Sequence, residues 1–267
     1  MWEQRYAPFT PLRTPKNQRQ YTGSDVHRAL YLALLTRHHY KISDVAACSL
    51  AALTQQAAPL LESPTKPDQW VDGLLINTLE KNLDGFSLLL SSAINTYGGP
   101  QAIEQAVLPY LTRLQGIGGR DLTGLGHLSF VLTHLAEYFL DLARQQPLAR
   151  SHPSRRYILF LPVGEVQEVY LQLARYLLTD KGSQVTYLGA NISGDLLQQV
   201  YQEQQPSDLV TFLTKVPPLH QVQRYVDELI QTFPKARFLL GGDRVVGQDL
   251  ILPSQAQLVT SVLQLAK

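Results

Sequence analysis

The chain of 267 residues has a single cysteine, Cys48, and a single methionine, Met1. One cysteine excludes a disulfide framework and any zinc site built on several thiolates, and it agrees with a reducing compartment. Charged residues are scarce at 17%, while hydrophobic residues reach 45%, a balance that supports a packed core and excludes a disordered chain. No apolar run approaches the ~20 residues of a membrane-spanning helix, and Glu3 and Arg5 beside Trp2 leave no room for the apolar stretch of a signal peptide. The expectation is a cytoplasmic protein with no membrane partner.

Several chemical motifs are missing as well. The sequence has no Gly-x-x-x-x-Gly-Lys-Ser/Thr loop, no Gly-x-Gly-x-x-Gly after its first apolar strand and no His-Glu-x-x-His pair. The glycines at Gly116, Gly118 and Gly119 fall between two helical patterns and read as a connection. His38 and His39 follow a helix whose end favours positive charge. No nucleophile, base and orienting group converge in the pattern, so the chain is not expected to be an enzyme, and no metal site is expected.

What is present is an uneven distribution of charge. Residues 1–41 hold Arg5, Arg13, Lys16, Arg19, Arg28, Arg37 and Lys41 against Glu3 and Asp25, whereas the whole chain carries a net charge of only +1. A basic head on a mildly acidic body points to nucleic acid at the N-terminus, although on charge alone a solvated face explains it equally well.

The length suits two or three compact units of ~100–200 residues each, and the pattern changes character twice. In residues 1–60 an irregular stretch from Tyr6 to Tyr21 turns around Thr14-Pro15-Lys16-Asn17, a small β-hairpin or wing. Ser24 or Asp25 can cap a helix running to Arg37, and Ser43-Asp44 marks a second, shorter one. Residues 61–150 open on the linker Ser63–Pro67 and continue with helical periodicity only. Segments around Trp70–Leu79, Phe86–Tyr97, Ile103–Leu114 and Leu125–Leu142 predict a four-helix bundle.

In residues 151–267 strands and helices alternate: Tyr157–Leu161, a helix Glu165–Thr179, Val185–Leu188, a helix Asp195–Glu203, Leu209–Leu213, a helix Leu219–Phe233 and Phe238–Leu240. That rhythm predicts a doubly wound α/β domain with a parallel sheet, Rossmann-like in type. Such sheets bind ligands beyond the carboxyl ends of their strands. Pro162–Tyr170, Gly189–Ser193, Thr214–Pro218 and Gly241–Arg244 should therefore surround any pocket.

Three stretches of the head, Trp2-Glu3-Gln4-Arg5-Tyr6, Pro11-Leu12-Arg13-Thr14 and Asn17-Gln18-Arg19-Gln20-Tyr21 followed by Ser24-Asp25-Val26, resemble the winged-helix signature of the MerR family of transcription regulators. Tyr40–Val45 resembles the same family's second helical turn. The resemblance implies DNA as a partner, with Arg5, Arg13, Lys16 and Arg19 neutralising phosphates and Tyr6 and Tyr21 adding hydroxyl donors. It also implies self-association as a dimer or tetramer that mirrors paired half-sites. In that family the first helix and most of the recognition helix precede the Trp-Glu-Gln-Arg-Tyr stretch. With the chain beginning at Met1, the expectation is a truncated head whose DNA binding is weak.

The helical segment followed by the α/β segment resembles the light- and cobalamin-sensing branch of the same family. There a Glu/Asp-x-His-x-x-Gly motif follows the first strand, and its His ligates cobalt from below. The equivalent run is Gly164–Tyr170: Glu165 is kept, but Gln167 stands for the His and Tyr170 for the Gly. An amide is a poor substitute for imidazole at cobalt, and a Tyr should fill space that the cofactor's nucleotide tail needs. The upper covering residues of that branch would fall near Gly116-Ile117 and at Gly126-His127, where only His127 is kept. It shares a helix face with Val131, His134 and Tyr138. Gly241-Gly242 matches a glycine pair near the tail. The resemblance therefore implies a cobalamin-type sensor with no cofactor expected, open to another small-molecule ligand. Cobalamin held in another manner is the alternative, as is an interaction module that pairs with a full-length relative. A carrier subunit for methyl transfer shares the same plan, but the wing motif and the missing His both speak against it.

Overall fold

The computed structural model describes residues 5, 6, 9, 11–118, 125–146 and 155–266, with the backbone alone at 117–118 and 125–127. The chain divides into two compact units, Met1–Val131 and Leu132–Lys267.

The first unit opens on the hairpin expected from the sequence. Strands β1 (Leu12–Arg13) and β2 (Arg19–Gln20) pair antiparallel, with Leu12 opposite Gln20 and Arg13 opposite Arg19. The turn closes through Asn17 N to Thr14 O (2.8 Å) and Thr14 N to Gln18 O (2.9 Å). Asn17 adopts φ 59°, a left-handed conformation that asparagine tolerates better than most residues. Helix α1 (Gly23–Arg37) is capped by Thr22, not by Ser24 or Asp25. Asp25 instead completes a capping box, accepting from Thr22 N at 2.7 Å while its own N–H donates to the Thr22 hydroxyl. The short α2 (Ile42–Val45) begins without a side-chain cap, because its N-cap is Lys41, which has no acceptor, and Ser43 lies inside the helix with its hydroxyl donating to the Asp44 carboxylate. Helix α3 (Leu50–Glu62), capped by Ser49, is not signalled by the sequence, since Pro59 interrupts its pattern. Tyr31, Leu32, Leu34, Leu35, Val45, Leu53 and Ala57 form one core with Ile76 of α4 (Pro67–Glu80).

Helix α4 is buried along most of its length, from Gln69 to Thr78. It packs against α5 (Leu83–Tyr97), and against a rod made of α6 (Gly99–Ala102), a π turn (Ile103–Val107) and α7 (Leu108–Gly118). Asp72, a charge inside this unit, is 1% exposed. It accepts from Arg37 Nη1 at 2.6 Å and Arg113 Nη1 at 2.8 Å, so both carboxylate oxygens are paired.

The fourth predicted bundle helix, α8 (Leu125–Gln145), does not stay within one unit. From Leu132 onward it belongs to the second, because its apolar stripe continues there. Leu135 and Phe139 are fully buried, and the Phe139 ring packs edge-on against Tyr176 at 5.6 Å. The bundle thus reduces to three helical rods in the first unit plus a helix shared with the second.

The second unit is the doubly wound α/β domain. It contains β3 (Arg156–Pro162), α9 (Val169–Asp180), β4 (Gln184–Ile192), α10 (Gly194–Gln204), β5 (Asp208–Phe212), a 3-10 turn Leu219–Gln221, α11 (Val222–Thr232), β6 (Arg237–Gly241), β7 (Ala256–Val259) and a final 3-10 turn Val262–Ala266. All five strands are parallel, in the order β4-β3-β5-β6-β7. Strand residues alternate between the two helical layers. Ile158 and Phe160 join Leu197, Val222, Val226 and Phe233 in one core, while α9 packs against β3, β4 and the final 3-10 turn. The edge strand β7 is not signalled by the sequence, since Ala256–Val259 is short and half-polar. Among the described residues no helix is long and apolar enough to cross a membrane.

Candidate functional site

In a sheet of this order the connections leave β3 toward opposite sides, so a crevice is expected between the loops that follow β3 and β5. Here the two loops are fastened to each other. Glu165, fully buried, accepts hydrogen bonds from Thr214 N (2.8 Å), Thr214 Oγ1 (2.8 Å), Lys215 N (2.7 Å) and Val216 N (3.4 Å). Burial alone would raise its carboxyl. The hydrogen bonds from Lys215, Thr214 and Val216 outweigh that and hold it below the ordinary glutamate value. Gly164, at φ 87°, turns the chain into this position, and its N–H donates to Asn191 Oδ1 at 3.0 Å. Residues 165–168 are therefore committed to the crevice. Helix α9 begins at Val169 instead of Glu165 for that reason.

Tyr170, in the first turn of α9, lies over Phe212, the last residue of β5, with ring centroids 5.9 Å apart and planes 25° from parallel. Phe212 in turn covers Gly241, where a Cβ would stand 2.5 Å from the ring. Gly242, at φ 95°, is pressed against the Leu213 backbone, 2.4 Å from where its Cβ would be. The glycine pair thus has a packing reason inside the domain. The sequence places Thr214–Pro218 beside the pocket but gives no signal for Phe212, which carries no motif.

Gln167 is half-buried and lines a cavity of about 220 Å³. One wall is the loop from Val166 to Glu168 together with Gln172 of α9; the other is α8 from Leu132 to Leu140. Glu168 accepts a very short hydrogen bond from the Tyr187 hydroxyl, which burial and that carboxylate push well above the ordinary phenol value. The Arg175 guanidinium stands 5.0 Å from the centre of the Tyr187 ring. The His127 side chain lies outside the described residues, and His134 and Tyr138 are half-buried on α8. Among the described residues no three His, Cys, Asp or Glu side chains come together as metal ligands.

The monomethylamine corrinoid protein of Methanosarcina barkeri superposes with a TM-score of 0.58 at 13% identity, over 74% of this chain and 96% of that one. In fold, the chain is similar to a corrinoid protein. Two further structures superpose less well. The methanol:cobalamin methyltransferase complex of Methanosarcina barkeri gives a TM-score of 0.38 at 16% identity, over 82% of this chain and 90% of that one. A cobalamin-binding protein from Desulfitobacterium hafniense gives 0.35 at 14% identity, over 73% and 93%. No protein-family profile and no curated protein matches the sequence.

Against the corrinoid-type fold, the sequence-predicted residues separate into two sets. Glu165, Gln167, Tyr170, Gly241 and Gly242 gather at the carboxyl end of the sheet. The residues expected to meet DNA belong to the first unit. Arg13, Lys16 and Arg19 are exposed on the hairpin, Tyr21 is exposed just beyond it, Arg5 is exposed and Tyr6 is half-buried. Arg13 donates to its own turn, through Nη1 to Asn17 Oδ1 at 2.7 Å, which steadies the hairpin and leaves the rest of the guanidinium outward. The Tyr21 ring meets Phe9 edge-on at 6.1 Å.

Proposed function

We propose that the protein is a transcription regulator of the MerR type whose corrinoid-type domain no longer holds a corrin. The observation that carries this reading is the closed crevice between the β3 and β5 loops. Glu165 bolts the loops together, and the Tyr170–Phe212 stack fills the space beside Gly241. A corrin and its nucleotide tail need that space open, and Gln167 offers an amide where cobalt would need a nitrogen donor. These residues do not fit cobalamin. A cavity of about 220 Å³ remains, below the ~300–1,000 Å³ of most ligand sites.

The regulatory half of the reading rests on the MerR-like sequence and on the exposed basic hairpin. Arg13, Lys16 and Arg19 offer charge to phosphates, which positions a protein without reading bases. Duplex binding is expected to be weak, indifferent to sequence and steeply salt-dependent. Replacing all three residues by Ala should lower the slope of log K against log salt by roughly 0.9 for each phosphate that is no longer neutralised. Fluorescence anisotropy with duplexes of different sequence at several salt concentrations measures this; an unchanged slope would remove the hairpin from the interface. The same reading includes self-association as a dimer or tetramer, and a monomer mass by light scattering would argue against it.

A further inference from the structure

Charge of one sign gathers at the amino end of the parallel sheet, the end opposite to the Glu165 crevice. A cavity of about 280 Å³ opens there. Three cations from separate segments line it: Arg155 just before β3, Lys181 just after α9 and Arg237 at the start of β6. Among the described residues no Asp or Glu lines it. One carboxylate stands behind the cations. Asp208 is 2% exposed and accepts from Arg237 Nε at 2.6 Å, and it also attracts Arg155, which interacts with the Tyr157 hydroxyl. One negative charge against three positive ones leaves the cavity with an excess of positive charge.

The bond to Asp208 fixes the Arg237 guanidinium by its Nε edge. Both terminal nitrogens of that fork, and the Lys181 ammonium, have no protein partner among the described residues. Gln264, on the final 3-10 turn, accepts from Thr260 N through Oε1 at 2.9 Å, so its NH₂ is the part left to bond, as a donor. The floor is apolar, from Leu239, Val259 and Leu265. Like charges brought together repel unless a counter-charge joins them. A guanidinium fork, an ammonium and an amide NH₂ form a donor set for an oxyanion. A monocarboxylate would neutralise only one of the cations, whereas a phosphate group carries close to two negative charges. The volume is below that of most drug-sized sites and suits a phosphate group with at most a few carbons.

We propose that this cavity binds a dianionic phosphate group, that of a small phosphomonoester or of free phosphate, held by Arg237, Lys181 and Gln264 with Arg155 adding positive charge. The site is separate from the crevice between the β3 and β5 loops and stands whether or not a corrin binds there.

The test is calorimetric titration of the protein with glycerol 3-phosphate and with inorganic phosphate, at mildly alkaline pH and constant ionic strength, with acetate and glycerol as comparisons. Saturable binding of at least one phosphate probe is expected, with a Kd on the order of 0.1–1 mM, and much weaker binding of both comparisons. Tighter binding of glycerol 3-phosphate supports an ester as the occupant, and equal or tighter binding of inorganic phosphate supports the free ion. Lys181→Gln, at an exposed position, should weaken the phosphate probe by ~5-fold or more. Arg237→Gln should weaken it further but unpairs Asp208; if that variant does not fold, Lys181→Gln carries the test. Arg224→Gln, at an exposed position on α11 outside the cavity, should leave binding unchanged. Absence of saturable heat from both phosphate probes up to about 20 mM would overturn the proposal. So would acetate binding as tightly, phosphate binding that the folded cavity variants leave unchanged, or an equal loss in Arg224→Gln.

Discussion

Asp72→Ala is expected to destabilise the first unit by about 3 kcal/mol, read as a lower denaturation midpoint at unchanged slope. The carboxylate is 1% exposed and divides its oxygens between Arg37 and Arg113. Removing one partner of a buried ion pair costs about 3–5 kcal/mol, because a charge is left without compensation. Here the side chains left behind are 38% and 37% exposed, so water recovers part of that loss and the lower end of the range applies. Asp68 provides the contrast. It also accepts from Arg113, at 2.9 Å, but is 62% exposed, and Asp68→Ala should cost no more than about 0.5 kcal/mol. Neither tryptophan lies in residues 132–267 and Trp70 is buried, so tryptophan fluorescence follows the unfolding of the first unit separately from the α/β domain. Equal effects from the two substitutions would mean that burial of Asp72 does not set its importance.

Glu165→Gln should cost the second unit about 1–2 kcal/mol at neutral pH. The amide can keep its oxygen where Oε2 accepts from the N–H groups of Thr214, Lys215 and Val216, with its NH₂ donating to the Thr214 hydroxyl, so the loss is that of the negative charge that strengthens these bonds. The pH dependence distinguishes this carboxylate from a passive core residue. Its folded pKa lies below the ordinary value, so the native state binds fewer protons than the unfolded chain. The stabilisation is complete above the unfolded value near ~4.3 and is lost as pH falls through the lower, folded pKa. The gap between parent and Glu165→Gln should therefore narrow on acidification below that range. Calorimetric melting across the acid range measures it; a gap that stays constant would show that Glu165 titrates alike in both states.

The alternating layers of the second unit were legible because a buried parallel strand such as Tyr157–Leu161 is an unbroken apolar run and α9 and α11 have helical periodicity. The hairpin was legible in the turn residues Thr14–Asn17. What escaped was decided by tertiary contacts. The start of α9 shifted because Glu165 commits its carboxylate to the β5 loop, a partner nearly fifty residues away in sequence. The division of α8 between units could not be read from its stripe, which is equally apolar on both sides of Val131. Gly241-Gly242 matched a cofactor motif, yet Phe212 and Leu213 give each glycine a local use. At the site, the positions of residues 165, 167 and 170 beyond the first strand of the sheet followed from the sequence pattern, while the Phe212 ring over Gly241 became visible only in three dimensions.

The proposed loss of corrin binding is tested most directly by titrating the folded protein with hydroxocobalamin, followed by gel filtration and a visible spectrum of the protein peak. With the crevice bolted by Glu165 and filled by Tyr170 and Phe212, the peak is expected to emerge colourless. A corrin spectrum travelling with the protein at close to one equivalent would contradict it.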